Sequence, residues 1–146
     1  DKSSKINYIN SKVKKTDVIF NELNIDWSKE LTVVEGPFDL VKCNQNSTCI
    51  LGSSLRYESK LFKRIVANST PILLALDADM KDKAIKIANK LIEYSCDVRM
   101  LNLGNFCDVG EMSKKEFLNA KNEARNWNTS KSLIHKISSI RTGSIF

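Results

Sequence analysis

Two compact apolar runs organise the chain. Leu31-Thr32-Val33-Val34 ends abruptly in Glu35, and Pro71-Ile72-Leu73-Leu74-Ala75-Leu76 ends in Asp77-Ala78-Asp79. Short apolar runs bounded by breakers predict strands buried on both faces, the kind found in parallel sheets. Gly36-Pro37 breaks the first run, and proline suits the first position of a helix, here a short one over 38–43. Thr48 to Leu51 predicts a second strand, with Gly52-Ser53-Ser54 as the turn and N-cap of a helix over about 57–67. The third strand runs from Pro71 to Asp77. After it, Ala84, Ile87, Ala88, Leu91 and Ile92 recur at helical spacing among Lys81, Lys83, Lys86 and Lys90, which predicts a helix covering the sheet with one face. Asp97 to Leu103 alternates as a fourth strand. Ser113-Lys114-Lys115-Glu116 is a capping box, and Met112 with Phe117 supplies the accompanying hydrophobic staple. A last helix is expected over 130–139, with a tail from Arg141 to Phe146.

The expected fold is α/β, a parallel or mostly parallel sheet of about four core strands flanked by helices. Residues 1–30 read as a lead-in packing on the domain edge, 31–112 as the core, and 113–146 as C-terminal helices and tail. Within the lead-in, Ile6-Asn7-Tyr8-Ile9-Asn10 and Asp17-Val18-Ile19-Phe20-Asn21 are candidate strands.

Composition narrows the class. At 146 residues, 42% hydrophobic and 27% charged, the chain is ordinary globular material with no transmembrane run or signal-peptide pattern. It opens at Asp1 without an initiator methionine, which suggests a fragment of something longer. Cys43, Cys49, Cys96 and Cys107 form no CxxC pair, and with His135 as the one histidine they fit neither a zinc site nor a disulfide framework. Sequons at Asn46, Asn68 and Asn128 are discounted for want of a secretory signal. The net charge of +6 is uneven: residues 77–112 sum to −2 and 113–146 to +5. An acidic segment beside a basic one suits a protein handling a polyanion with a cation in between, and equally a solvated basic helix face.

In an open α/β sheet, functional groups gather at the carboxyl ends of the strands, which is where Glu35, Asp77 and Asp79 would sit. Acids converging there repel one another unless a cation intervenes, and hard oxygen ligands suit magnesium or manganese. The free N–H groups following Gly36 also offer a place for phosphate.

Several separate parts of 31–111 resemble the Toprim domain shared by DNA primases, topoisomerases, certain nucleases and recombination proteins. Glu35-Gly36 looks like the family's glutamate after the first strand, and Asp77-Ala78-Asp79 like its Asp-x-Asp after the third. Glu35-Gly36-Pro37-Phe38-Asp39 is similar to the Glu-Gly-x-x-Asp form of primases, Leu51-Gly52-Ser53-Ser54-Leu55 to their Leu-Gly loop, and Asp108 falls where they carry a further acid. Two departures stand out: Asp82 replaces a common glycine, and Val109-Gly110 replaces an Asp-Pro-Asp setting. The whole looks most like the primases of T-even-type phages.

The resemblance implies a Rossmann-like Toprim fold and metal-dependent nucleotidyl transfer, the synthesis of RNA primers on single-stranded DNA from ribonucleoside triphosphates. It implies one or two Mg2+ or Mn2+ ions on Asp77 and Asp79 with Glu35 and Asp108, and Glu35 as ligand or general base. Gly36, Asp39, Gly52 and Asp82 would support the site, and Lys42, Arg56, Lys81 and Lys83 are the nearest cations for triphosphate or template. It also implies a replicative helicase as partner, no membrane, no zinc in this segment, and the cytoplasm of a phage-infected bacterium. A metal-dependent nuclease or a non-catalytic interaction module are the rival readings. A topoisomerase would need a catalytic tyrosine in a further domain, for which this chain is too short.

Overall fold

The apolar runs form the centre of a five-stranded sheet. The computed structural model describes residues 14–51 and 54–143; the candidate strand at 6–10 and Gly52 of the Leu-Gly loop lie outside them. The strands are β1 (Leu31–Val34), β2 (Ser47–Cys49), β3 (Ile72–Ala75), β4 (Val98–Met100) and β5 (Arg125–Trp127), in the order β2-β1-β3-β4-β5. The first four are mutually parallel, with Val34 opposite Ala75 and Cys49, and Leu74 opposite Met100. Every residue of β1 and β3 is buried, as continuous apolar runs require of strands covered on both faces.

The alternation of side chains across these strands feeds two cores. On one face Leu31, Val33, Ile72, Leu74 and Val98 pack with Leu61, Phe62 and Ile65 of helix α1 (Lys60–Asn68) and Ala84, Ile87, Ala88 and Leu91 of helix α2 (Lys81–Glu93). On the other, Val34, Leu73 and Ala75 meet Leu103, Val109, Met112 and Phe117, the last from helix α3 (Lys114–Glu123). The capping box at Ser113 and Glu116 forms in full, and Met112 and Phe117 are both buried in this second core.

Several boundaries differ from the sequence reading. The helix expected from about Tyr57 begins at Lys60, because the Ser59 hydroxyl, not Ser54, accepts the Phe62 N–H at 3.2 Å. Tyr57 stays outside it as an aromatic lid on Phe62 and Tyr94, with the Lys90 ammonium 4.3 Å from its ring centre. Residues 38–43 make only a 3-10 turn, Asp39–Lys42. Asp17 to Asn21 is no strand: Asn21 is left-handed at φ 61°, and the alternation reflects Ile19 alone turning inward between Val18 and Phe20.

The segment 113–146 contributes a strand as well as helices, since β5 pairs antiparallel with β4. Three residues with an arginine and an asparagine give no alternation to read. Helix α4 (Thr129–Arg141), capped by Asn128, turns Ser132 and half of His135 inward, while Leu133, Ile134, Ile137 and Ile140 face outward. His135 lies against Trp127, whose indole N–H donates to Asn89 at 2.8 Å.

Polar ties hold the edges. The Asn46 side chain accepts the Asp26 N–H at 2.7 Å and donates to the Asp26 and Glu30 carbonyls, each at 3.0 Å, so this sequon asparagine is committed to internal bonding. All four cysteines are free thiols, and burial pushes Cys43 up to about 12 and Cys49 to about 11. Among the described residues, no helix is long and apolar enough to cross a membrane.

Arg99 of β4 makes a two-pronged pair with Glu30, at 2.7 and 2.8 Å, and donates to the Lys121 carbonyl at 3.1 Å. It thus ties the segment before β1 to the end of α3, and its guanidinium holds the Glu30 carboxyl below the usual range. Replacing Arg99 by Met is expected to lower unfolding stability by about 2 kcal/mol, as loss of hydrogen bonds to a half-buried carboxylate should; urea denaturation checks this.

Candidate acidic site at the sheet edge

Parallel pairing puts the ends of β1 and β3 side by side, so Glu35 follows Val34 where Asp77 follows Ala75 by two residues. The loop after β4 returns to the same edge: the Ala78 N–H donates to the Cys107 carbonyl at 2.8 Å, which brings Asp108 beside the Asp77 turn. The cluster is evident electrostatically. Asp77 is pushed up to about 6, by burial first and then by the negative charges of Asp39, Glu35, Asp108 and Asp79. Its Oδ1 atom is buried without a hydrogen-bond partner, as is Oε2 of Glu35.

Glu35, Asp39 and Asp108 are restrained from within the chain. Oε1 of Glu35 pairs with Lys83 Nζ at 2.9 Å. Asp39 is buried, and its two oxygens accept the Gly36 N–H at 3.2 Å and the Gly110 N–H at 3.1 Å, bridging the loop after β1 to the loop after β4. It is a positioning group, not a helix cap. A Cβ on Gly110 would stand 3.1 Å from both Asp39 Oδ1 and Asp108 Oδ1, so the bare backbone is what permits this approach. Asp108 accepts the Glu111 N–H at 2.9 Å, and Glu111 accepts the Cys107 N–H at 2.8 Å.

Among the described residues, no three His, Cys, Asp or Glu side chains form a ready-made metal cage. Glu35 is turned onto Lys83 and Asp39 onto backbone N–H groups. The donor chemistry nonetheless fits a hard divalent cation, since the groups are carboxylates and two of their buried oxygens are unpartnered.

Of the cations singled out in the sequence, Lys83 joins the cluster. Arg56 is exposed and pairs with Glu58 at 4.0 Å; Lys42 and Lys81 pair with none of the site's acids among the described residues. Asp79 and Asp82 are exposed, Asp79 close enough to act on Asp77. Leu51, at the end of β2 and the same edge, is left-handed at φ 53°, a strained position for a branched residue. The roles of Gly110 and Glu111 were not read from the sequence, although glycine between two acids was the available signal. A concavity of about 620 Å³ is lined by Phe20, Asn21, Leu40, Val41 and Cys43 among others, and by none of the acids. The mutually repelling carboxylates, most of them part-buried, identify the site better than that concavity does.

No family model matches the chain, and no curated protein matches it in sequence. One solved structure that does match is the crystal structure of the Aquifex aeolicus primase comprising its zinc-binding and RNA polymerase domains, with a TM-score of 0.62 and 21% identity. The match covers 87% of this chain and 35% of that one, so the chain spans about a third of that protein's length. The fold is therefore primase-like: a mostly parallel five-stranded sheet flanked by helices.

The raised Asp77 carboxyl sets a pH dependence. Its proton is held more tightly in the folded chain than in the unfolded one, so the stabilisation is complete below about pH 4 and is lost as pH rises through about 6. Without divalent cations, Asp77→Asn is expected to be more stable than the parent at pH 7.5 by on the order of 1 kcal/mol, after discounting for solvent screening, and to show no such gain at pH 4. Denaturant midpoints at the two pH values check it.

Proposed function

We propose that this chain is the Toprim-type, metal-binding portion of a DNA primase, catalysing nucleotidyl transfer in RNA primer synthesis. The observation that carries the reading is the convergence of Glu35, Asp77, Asp79 and Asp108 at one sheet edge, with the Asp77 carboxylate half-buried and short of a partner. The primase-like fold and the Glu-Gly-x-x-Asp, Leu-Gly and Asp-x-Asp motifs support it.

Asp77 and Asp79 would hold one or two Mg2+ or Mn2+ ions, with Asp108 as an outer ligand. Bound there, the ions would neutralise charge building on the α-phosphate and departing pyrophosphate. Glu35 stands beside Asp77 and, once moved off Lys83, would serve as a further metal ligand or take the proton of an attacking 3′-hydroxyl. Asp39 keeps the two loops in register so that these acids face one another, and Lys81 and Lys83 lie at the start of α2, where a triphosphate would arrive. Single-stranded DNA, ribonucleotides and a replicative helicase are the partners this reading carries, in a T-even-like phage replicating in the bacterial cytoplasm. The same acids acting on water would make a nuclease, so both activities belong in the assay.

Asp77→Asn and Asp79→Asn are each expected to weaken Mn2+ binding roughly tenfold or more in calorimetry; undiminished affinity in both removes the metal site. In a primase carrying this portion, Glu35→Gln should lower primer synthesis by about 10²-fold or more while changing Mn2+ affinity less than the aspartate variants do. Near-parental synthesis by that variant would exclude Glu35 as base.

The chain alone is expected to bind single-stranded DNA weakly and not to prime, because its excess positive charge lies in 113–146 and the acid-bearing segment is net negative. Anisotropy titrations from about 50 to 200 mM salt should show affinity collapsing as counterion release predicts. Robust synthesis by this chain alone would place the template surface on the basic helices after Ser113.

A further inference from the structure

We propose that Lys83 is the resident counter-ion of the acid cluster, and that a divalent cation enters the site by taking Glu35 away from it. The inference rests on reading the cluster as a metal site and adds a competition that the motifs do not disclose. Lys83 is the third residue of α2, the helix that begins just after the Asp77–Asp79 turn, and its ammonium reaches the end of β1 to meet Glu35 at 2.9 Å. The two side chains are only 22% and 16% exposed, so each would be costly to leave alone. No other ion pair among the described residues involves an acid of the cluster.

One ammonium cannot neutralise five neighbouring acids. Asp77 Oδ1 and Glu35 Oε2 remain without partners, an arrangement that still calls for positive charge. Yet among the described residues no ready-made cage is assembled, and Glu35 is held by the lysine. A dication shared by Asp77 and Glu35 would stand close to the Lys83 ammonium, and at the low effective dielectric of a half-buried site that repulsion is strong enough to drive the flexible lysine outward. Tethered to the first turn of α2, the released ammonium stays beside the metal, where a polyphosphate is the class of ligand able to satisfy both charges.

The test compares Mn2+ binding at pH 7.5 by calorimetry in the parent chain, Lys83→Met and Lys83→Arg. Removing the competitor should tighten Mn2+ binding about tenfold in Lys83→Met. The same variant should melt lower than the parent without metal, its Glu35 being unpaired, and gain more in melting temperature on adding Mn2+. Lys83→Arg should stay near the parent. A second measurement needs no substitution: amine labelling of the parent chain read by mass spectrometry should rise several-fold at Lys83 on adding saturating Mn2+, with exposed Lys81 and Lys86 unchanged. Mn2+ binding that is equal or weaker in folded Lys83→Met, or Lys83 labelling indifferent to Mn2+, overturns this inference and leaves the metal site standing. Failure of both parent and variant to bind Mn2+ overturns the metal reading and this inference with it.

Discussion

Mutual repulsion among carboxylates brought to one edge of a parallel sheet is the constraint on which the arrangement of this molecule turns. The sheet's register brings Glu35 and Asp77 out at the same edge, one and two residues beyond the paired Val34 and Ala75. The chain answers with four donors: an ammonium on Glu35, two backbone N–H groups on Asp39, and the N–H of Glu111 on Asp108. Asp77 keeps a buried oxygen without a donor, and burial first, then the neighbouring negative charges, raises its proton affinity.

The donors that quiet the cluster are also what shape it. Asp39 accepts from loops far apart in sequence, so one buried carboxylate holds the Gly36 turn against the Gly110 turn. The Ala78 to Cys107 backbone bond closes the remaining side. Neither tie would hold on a mobile scaffold. They depend on β1 and β3 being wholly buried between two apolar layers, where each fully buried Leu or Ile contributes about 1.5–3 kcal/mol. The core thus carries a site that is locally unfavourable, as strained or repelling functional groups generally require.

What could be read from the residues alone followed from how local the signal was. Buried parallel strands announce themselves as uninterrupted apolar runs, so β1, β3 and the acids at their ends were legible, and the capping box at Ser113 is a four-residue pattern with a direct mechanism. The start of α1 was misplaced because Ser54 and Ser59 are equally good caps in sequence, and burial of Ser59 decides between them. β5 is not legible because its pairing with β4 is tertiary and two of its three residues are polar and exposed. The Lys83 pair and the Asp39 bridge span 48 and 71 positions, so no local spacing could reveal them.

Charge that looks alike in sequence separates by burial in the fold. Lys42, Arg56, Lys81 and Lys83 were equivalent as the nearest cations to the acids, but an exposed cation opposite an exposed acid, as in Arg56 with Glu58, contributes little in water. Lys83 differs because its partner is half-buried and part of a group that cannot all be ionised at low cost. Burial converts an ordinary helix lysine into the counter-ion that holds Glu35 at the sheet edge. A glycine, a bridging aspartate and one lysine therefore shape how the three motif acids are presented, through partners that lie far from them in sequence.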